Sequence, residues 1–233
     1  MNTSKKKKRA IDQTDLAQKA YLGIRQMLFY NEIVPGQKIA YRDLAERLEM
    51  SPTPVIQALK FLEFQGLVRR EPNRGYYTEP ISLTEVREAF ELREMLEVSL
   101  LPRALENMDG KRSIRLKKAY EAHLATSKSI YPNERLLKNV EFHLTLASFS
   151  HCNIHQKILQ NLFDLMNLKY RSGVIYLTSM EMTDPNHEQL FEAITARELS
   201  EAQKILTMHI SDSRKLVIMG LERLVEEKKM LTI

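Results

Sequence analysis

Between residues 34 and 78, turn and cap residues divide the chain into short segments whose lengths they fix. Pro35-Gly36 places Pro second and Gly third in a turn, which suits type II geometry. Ser51 followed by Pro52 is typical of a helix N-cap and a first helical residue, and Gly66 is typical of a helix end. This punctuation predicts two helices in close succession, one beginning near Tyr41 and one at Ser51.

The flanking segments complete a recognisable order of elements. Residues 16–30 carry apolar positions at helical spacing, which predicts a first helix. After Gly66, two extended runs at 67–70 and 76–78 are separated by a Pro- and Gly-containing turn, which predicts a β-hairpin. Three helices followed by a hairpin is the order of a winged helix-turn-helix, with the third helix available for a DNA major groove.

The positive charge of the chain is concentrated at its N-terminus. Residues 1–80 hold 14 Lys and Arg against 9 Asp and Glu, whereas residues 81–233 hold 21 of each. The excess comes from the basic run at residues 5–9. This run is either a solvated end without a role or an arm that contacts DNA phosphates.

A second domain is predicted from residue 81 onward. Ser82 and Glu85 form a capping box that opens a long amphipathic helix. No convincing strand pattern follows, so we expect an all-α antiparallel bundle. The predicted architecture is mainly α, with a basic tail and winged helix-turn-helix at 1–80 and an all-helical domain at 81–233. The further predicted helices span 112–129, 133–150, 154–170, 184–196 and 200–227.

Several classes of protein are excluded by composition. No apolar run reaches the length of about 18 residues that a membrane span needs, and the N-terminus lacks the apolar core of a signal peptide, so we expect a cytoplasmic protein. Cys152 is the only cysteine, which excludes an intrachain disulfide and a cysteine-based zinc site.

The chain resembles a known family over most of its length. Residues 16–80 resemble the winged helix of GntR-family transcription regulators, and the second domain resembles the FCD effector domain of that family's FadR branch. The resemblance implies a DNA-binding regulator controlled by a small molecule, not an enzyme. It also implies that the helical domain at 81–233 binds the effector and dimerises. It rests on Pro35-Gly36, Asp43-Leu44-Ala45-Glu46, Thr53-Pro54-Val55, Glu91-Leu92-Arg93, Asn139, His143, Asn153, His187 and His209.

Candidate DNA contacts come from two sources. Family members often carry arginines where this chain has Pro52 and Ile56, so its operator or its phosphate contacts should differ. From the helix geometry we add Gln57, which can pair with adenine, and Lys60, which can contact phosphate. The positions that match the family are Arg42, Ser51, Thr53, Arg74 and Gly75.

Three histidines and an asparagine form a candidate metal site. Asn139 and His143 lie four residues apart on one helix face, and His187 and His209 fall in two later helices. Imidazole nitrogens suit a divalent ion such as zinc or nickel. In the family the first position is commonly Asp, so the neutral Asn139 should weaken the site. The alternative is that these are polar core histidines that neighbours satisfy.

The side chains and the predicted domains also indicate candidate ligands and partners. Arg93 and Arg171 are candidates for binding the carboxylate of a small organic acid, although a surface salt bridge is an equal alternative for Arg171. One recognition helix per chain predicts a homodimer on near-palindromic double-stranded DNA. Two other functions remain: a metal-dependent enzyme, for which Glu141 faces away from His143, and a helical interaction protein without a small ligand.

Overall fold

A computed structural model of the chain describes residues 2–126, 132–169 and 184–230. The chain divides into two compact units, one formed by Met1–Ile81 with Leu165–Ser172 and the other by Ser82–Asp164 with Gly173–Ile233. The domain bounds that the sequence predicts, 1–80 and 81–233, stay a prediction.

The first unit has the predicted winged helix-turn-helix fold. Its three strands form an antiparallel sheet in the order β1-β3-β2, in which Glu71 is opposite Gly75 at the hairpin. Its elements are α1 (Asn2–Phe29), β1 (Lys38–Ile39), α2 (Tyr41–Arg47), α3 (Pro52–Phe64), β2 (Val68–Glu71) and β3 (Gly75–Thr78).

The glycines predicted at the turn and at the helix end have the expected conformations. Gly36 has φ +79°, the left-handed conformation that the third position of a type II turn requires, and the Gln37 amide donates to the Val34 carbonyl at 3.2 Å. Gly66 has φ +70° and follows the end of α3. Apolar side chains of α1 and α3, among them Ile24 and Leu59, are fully buried in the unit's core.

Three details differ from the sequence-based predictions. α1 begins at Asn2 rather than near Leu16, because the intervening residues include no Gly or Pro to stop a helix. β1 pairs with β3, which makes a sheet of three strands where a two-stranded hairpin was predicted. Ser51 occupies the N-cap position of α3, but its side chain makes no capping hydrogen bond.

The second unit is built from helices. Asp109 caps α5 by accepting a hydrogen bond from the Arg112 amide at 2.8 Å. Ser82 caps α4 by accepting a hydrogen bond from the Glu85 amide at 3.4 Å. The helices are α4 (Leu83–Glu106), α5 (Gly110–Ala125), α6 (Pro132–Ser148), α7 (Asn153–Lys169), whose end from Leu165 groups with the first unit, α8 (Asp184–Thr195) and α9 (Leu199–Met230).

One face of α4 positions charged groups inside this helical unit. Its buried positions recur at helical spacing and include Arg93 and Glu97 among apolar side chains such as Leu100 and Leu101. Long charged side chains are rarely buried unless they are paired, so this face of α4 indicates a polar site inside the unit. Among the described residues, no helix is long and apolar enough to cross a membrane.

Candidate functional site

Three of the predicted metal ligands meet inside the second unit. His143 on α6, His187 on α8 and His209 on α9 are each only 1% exposed. One ring nitrogen from each lies within 4.8 Å of the others. The ring centroids of His187 and His209 are 4.3 Å apart, and those of His143 and His209 are 5.1 Å apart. Three helices therefore bring three imidazoles to one point, as the sequence pattern predicted.

Each of the three rings belongs to a buried part of its helix. His209 belongs to a buried stripe of α9 that includes Ile205 and Leu206, one turn earlier. His187 lies in the first turn of α8, which begins at Asp184. His143 follows the buried Phe142 on α6.

A buried charged network surrounds His143. Arg93 Nε donates to Glu97 Oε1 at 2.6 Å, and His143 Nδ1 donates to Glu97 Oε2, also at 2.6 Å. Arg93 Nη2 donates to His143 Nε2 at 3.0 Å. All three side chains are buried, so the ion pair and the imidazole form a closed triangle shielded from water.

Burial and charge set the protonation states of this network. Burial by itself would raise the pKa of Glu97, but the facing His143 and Arg93 lower it to about 2, so this residue is a carboxylate. Burial lowers the pKa of His143, and the Glu97 charge only partly opposes that effect. Burial also lowers the pKa of His209 well below its ordinary value, helped by the neighbouring histidines. Burial therefore favours the neutral imidazole at His143 and at His209, the form that binds metal.

These residues fit a divalent metal ion. Both ring nitrogens of His209 are buried, and neither has a hydrogen-bond partner in the described part of the chain. Such an orphaned imidazole is costly unless a ligand satisfies it. The carboxylate that accepts from His143 Nδ1 is the outer partner that a metal-binding histidine commonly has. Zinc and nickel both suit a set of imidazole donors.

The other predicted ligands have different outcomes. Asn139 is half-buried on α6, one turn before His143, and its role as a ligand stays a prediction. Arg93 is buried in the network rather than open to solvent. Arg171 lies outside the described residues.

Two residues of this site were missed by the sequence analysis. Glu97 follows Arg93 by one helical turn, and that spacing was its available signal. His123 on α5 is 1% exposed, with its ring centroid 4.4 Å from that of His187. Its signal was a stripe with Leu116 and Ala119, which are also buried.

The predicted DNA-contact residues lie on the first unit. Arg42 is exposed and stacks at 5.9 Å from the Tyr41 ring. Arg74, with 76% of its side chain exposed, lies in the hairpin loop before Gly75, whose φ of +102° favours glycine. Ser51 at the N-cap of α3 and Thr53, Gln57 and Lys60 within the helix are all exposed, as a DNA contact requires.

Comparison with known families decides what this pair of units is. The profile of the FCD domain matches residues 88–212, and that of bacterial regulatory proteins of the gntR family matches residues 16–77. The chain belongs to the GntR family and carries an FCD domain. The resemblance inferred from the sequence is thereby confirmed, as is the fold class.

Individual relatives agree with this assignment. The regulator is 21% identical to the HTH-type transcriptional repressor RspR of Escherichia coli over 84% of its own chain and 86% of the repressor. It shares the fold of E. coli McbR/YncC with a TM-score of 0.75 and 20% identity, over 88% of this chain and 98% of that one. The metal-free FCD domain of TM0439 covers 61% of this chain with 98% of its own, at a TM-score of 0.51 and 19% identity. The named relatives are transcription regulators, not enzymes.

Proposed function

We propose that this GntR-family regulator binds a near-palindromic DNA site as a homodimer and that the occupant of its helical domain controls that binding. Each chain carries one recognition helix, α3, so two-fold symmetry would double the contact. Thr53 and Gln57 would read base edges, while Lys60 and Arg42 would contact phosphates. Arg74 would reach DNA from the wing, and the basic run at residues 5–9 would add sequence-independent affinity.

In this proposal the histidine cluster binds a divalent metal ion, and Asn139 is the fourth ligand. The observation that carries it is the convergence of three buried imidazoles whose ring nitrogens lie within 4.8 Å of one another. The ion would supply a Lewis-acid charge for a carboxylate oxygen of a small organic acid. Arg93, whose planar fork suits a carboxylate, would bind the same acid.

Metal binding by the full-length protein tests this site. Isothermal titration with Zn²⁺ and Ni²⁺ should give one site per chain in the wild type and none in His187→Ala. His155→Ala is the matched control, because His155 is exposed on α7 and lies outside the cluster. Equal metal binding by all three proteins would contradict the proposal.

DNA binding tests the first half of the proposal. The oligomeric state should be measured by sedimentation in the same concentration range as fluorescence anisotropy on DNA from the regulator's own upstream region. We expect a dimer that prefers a two-fold symmetric site. A monomer that binds DNA tightly at these concentrations would contradict it.

A further inference from the structure

The guanidinium of Arg93 is hydrogen-bonded to the nitrogen of His143 that would coordinate a metal ion. His143 uses Nδ1 to donate to Glu97, so its proton is on Nδ1 and its lone pair is on Nε2. That lone pair accepts the hydrogen bond from Arg93 Nη2 at 3.0 Å. A guanidinium has no lone pair to share and carries a full positive charge, so it and a metal ion exclude each other from this nitrogen.

The position of Arg93 is well supported on its other sides. Its Nε is bonded to Glu97, and its guanidinium carbon lies 5.0 Å from the ring centroid of Phe163 and 5.8 Å from that of Phe90. These contacts do not involve His143, so they can hold the side chain after the bond to Nε2 is broken. The terminal donors of Arg93 would then need another acceptor, because a buried charged donor without one is costly.

A small cavity adjoins one side of this network. The cavity lined by Glu97, His143, Leu100, Ala104 and Leu146 has a volume of about 10 Å³, which holds roughly one water molecule. An organic anion would therefore have to move side chains to enter from this side. A rearrangement of Arg93 both opens space and presents positive donors.

We propose that Arg93 is a metal-gated anion receptor, which caps His143 Nε2 in the metal-free regulator and becomes available to an anion only when a metal ion takes that nitrogen. This inference rests on the proposed metal site. Arg93 then binds either His143 Nε2 or the anion, but not both. Metal binding should therefore increase the affinity for the anion, and by linkage the anion should increase the affinity for the metal by the same factor. Glu97 is the positioning residue that holds both His143 and Arg93 in either arrangement.

Zinc affinity of four full-length variants isolates the competition. Glu97→Gln keeps an oxygen acceptor for His143 but removes the negative charge, and should weaken zinc binding about tenfold. Arg93→Met/Glu97→Gln removes the cap in the same uncharged background and should bind zinc about tenfold more tightly than Glu97→Gln alone. Arg87→Met, on an exposed position of the same helix, is the control for loss of one positive charge and should match the wild type. Arg93→Met alone should bind zinc most tightly. It leaves the buried Glu97 carboxylate without its positively charged partner, which is why the double variant is included.

Crystal structures of the wild type grown with a chelator and with zinc give the direct readout. We expect Arg93 within hydrogen-bond distance of His143 Nε2 without metal, and zinc on that nitrogen with the guanidinium moved away. Two results would overturn this inference but leave the proposed metal site intact. One is zinc bound to the histidines while Arg93 stays on Nε2, and the other is equal zinc affinity in Glu97→Gln and the double variant. No zinc binding by the wild type or any variant would overturn the proposed metal site, and the inference with it.

Discussion

Glu97 Oε2 accepts a hydrogen bond from His143 Nδ1 at 2.6 Å, although the two residues are 46 positions apart in the chain. Together with the hydrogen bond from Arg93 to His143, this contact ties α4, the first helix of the FCD unit, to the histidine cluster. It also fixes the tautomer of His143: the proton is on Nδ1, and Nε2 keeps the lone pair that accepts the hydrogen bond from Arg93 Nη2. A ligand that changes this contact acts on the helix that begins directly after the DNA-binding unit in sequence.

The neutral Asn139 should make the metal site weaker than an acidic residue would. Asn139→Asp adds a negative charge one turn from His143, so we expect zinc or nickel to bind about tenfold more tightly in isothermal titration. Leu137→Asp is the matched control, since Leu137 is exposed on the same helix but faces away from Asn139. An equal gain in both variants would show a general charge effect, and no gain in Asn139→Asp would exclude the residue as a ligand.

Base reading and phosphate contact should separate within α3. Gln57→Ala should cost roughly 1–3 kcal/mol on the preferred site and relax its specificity, because a bidentate pair with adenine is lost. Lys60→Ala should weaken binding to all sequences alike and reduce the salt slope by about 1. Anisotropy titrations on specific and scrambled DNA at several salt concentrations measure both. The assignment of roles is wrong if the two variants lose affinity in the same pattern.

The basic run at residues 5–9 should contribute affinity without specificity. Deleting residues 1–9 should weaken binding to every DNA sequence by a similar factor and flatten the dependence on salt, because phosphate contacts release counterions whatever the bases. The preference for the specific site should survive. A salt slope identical to that of the full chain would identify the run as a solvated end.

The two halves of this regulator differ in how far the sequence predicts them. The winged helix-turn-helix was predictable because Pro35-Gly36, Ser51-Pro52 and Gly66 act locally. The pairing of β1 with β3 was not, since it joins Lys38 to Tyr77 across the whole unit.

The histidine cluster was predictable only in part. Helical spacing placed Asn139 and His143 on one face, and the family resemblance added His187 and His209. The network of Arg93 and Glu97 with His143 depends on how α4 packs against α6, and no sequence period records that packing. The stripe that His123 shares with Leu116 and Ala119 on α5 could have predicted its burial, but these two neighbours are apolar and do not indicate a ligand site.

Metal binding should persist to lower pH than it would with histidines of ordinary pKa. Burial lowers the pKa of both His143 and His209, so protons compete for these nitrogens only at more acidic pH than for a free imidazole, whose pKa is about 6.5. Zinc affinity should therefore stay nearly constant from pH 7.5 to about pH 6.5 and fall only as the pH drops further. Titrations in non-chelating buffers over this range measure it. A steep loss of affinity already between pH 7.5 and 6.5 would contradict the lowered pKa values.

The account depends most directly on the metal content of the protein and of its His143→Ala/His209→Ala variant. After dialysis against zinc and then against metal-free buffer, mass spectrometry of the metal should give about one equivalent per wild-type chain and almost none in the variant, since two of three imidazole donors are lost. The variant should still bind DNA but no longer respond to a metal-dependent effector. A full equivalent of tightly bound zinc retained by the variant would contradict the assignment of the site.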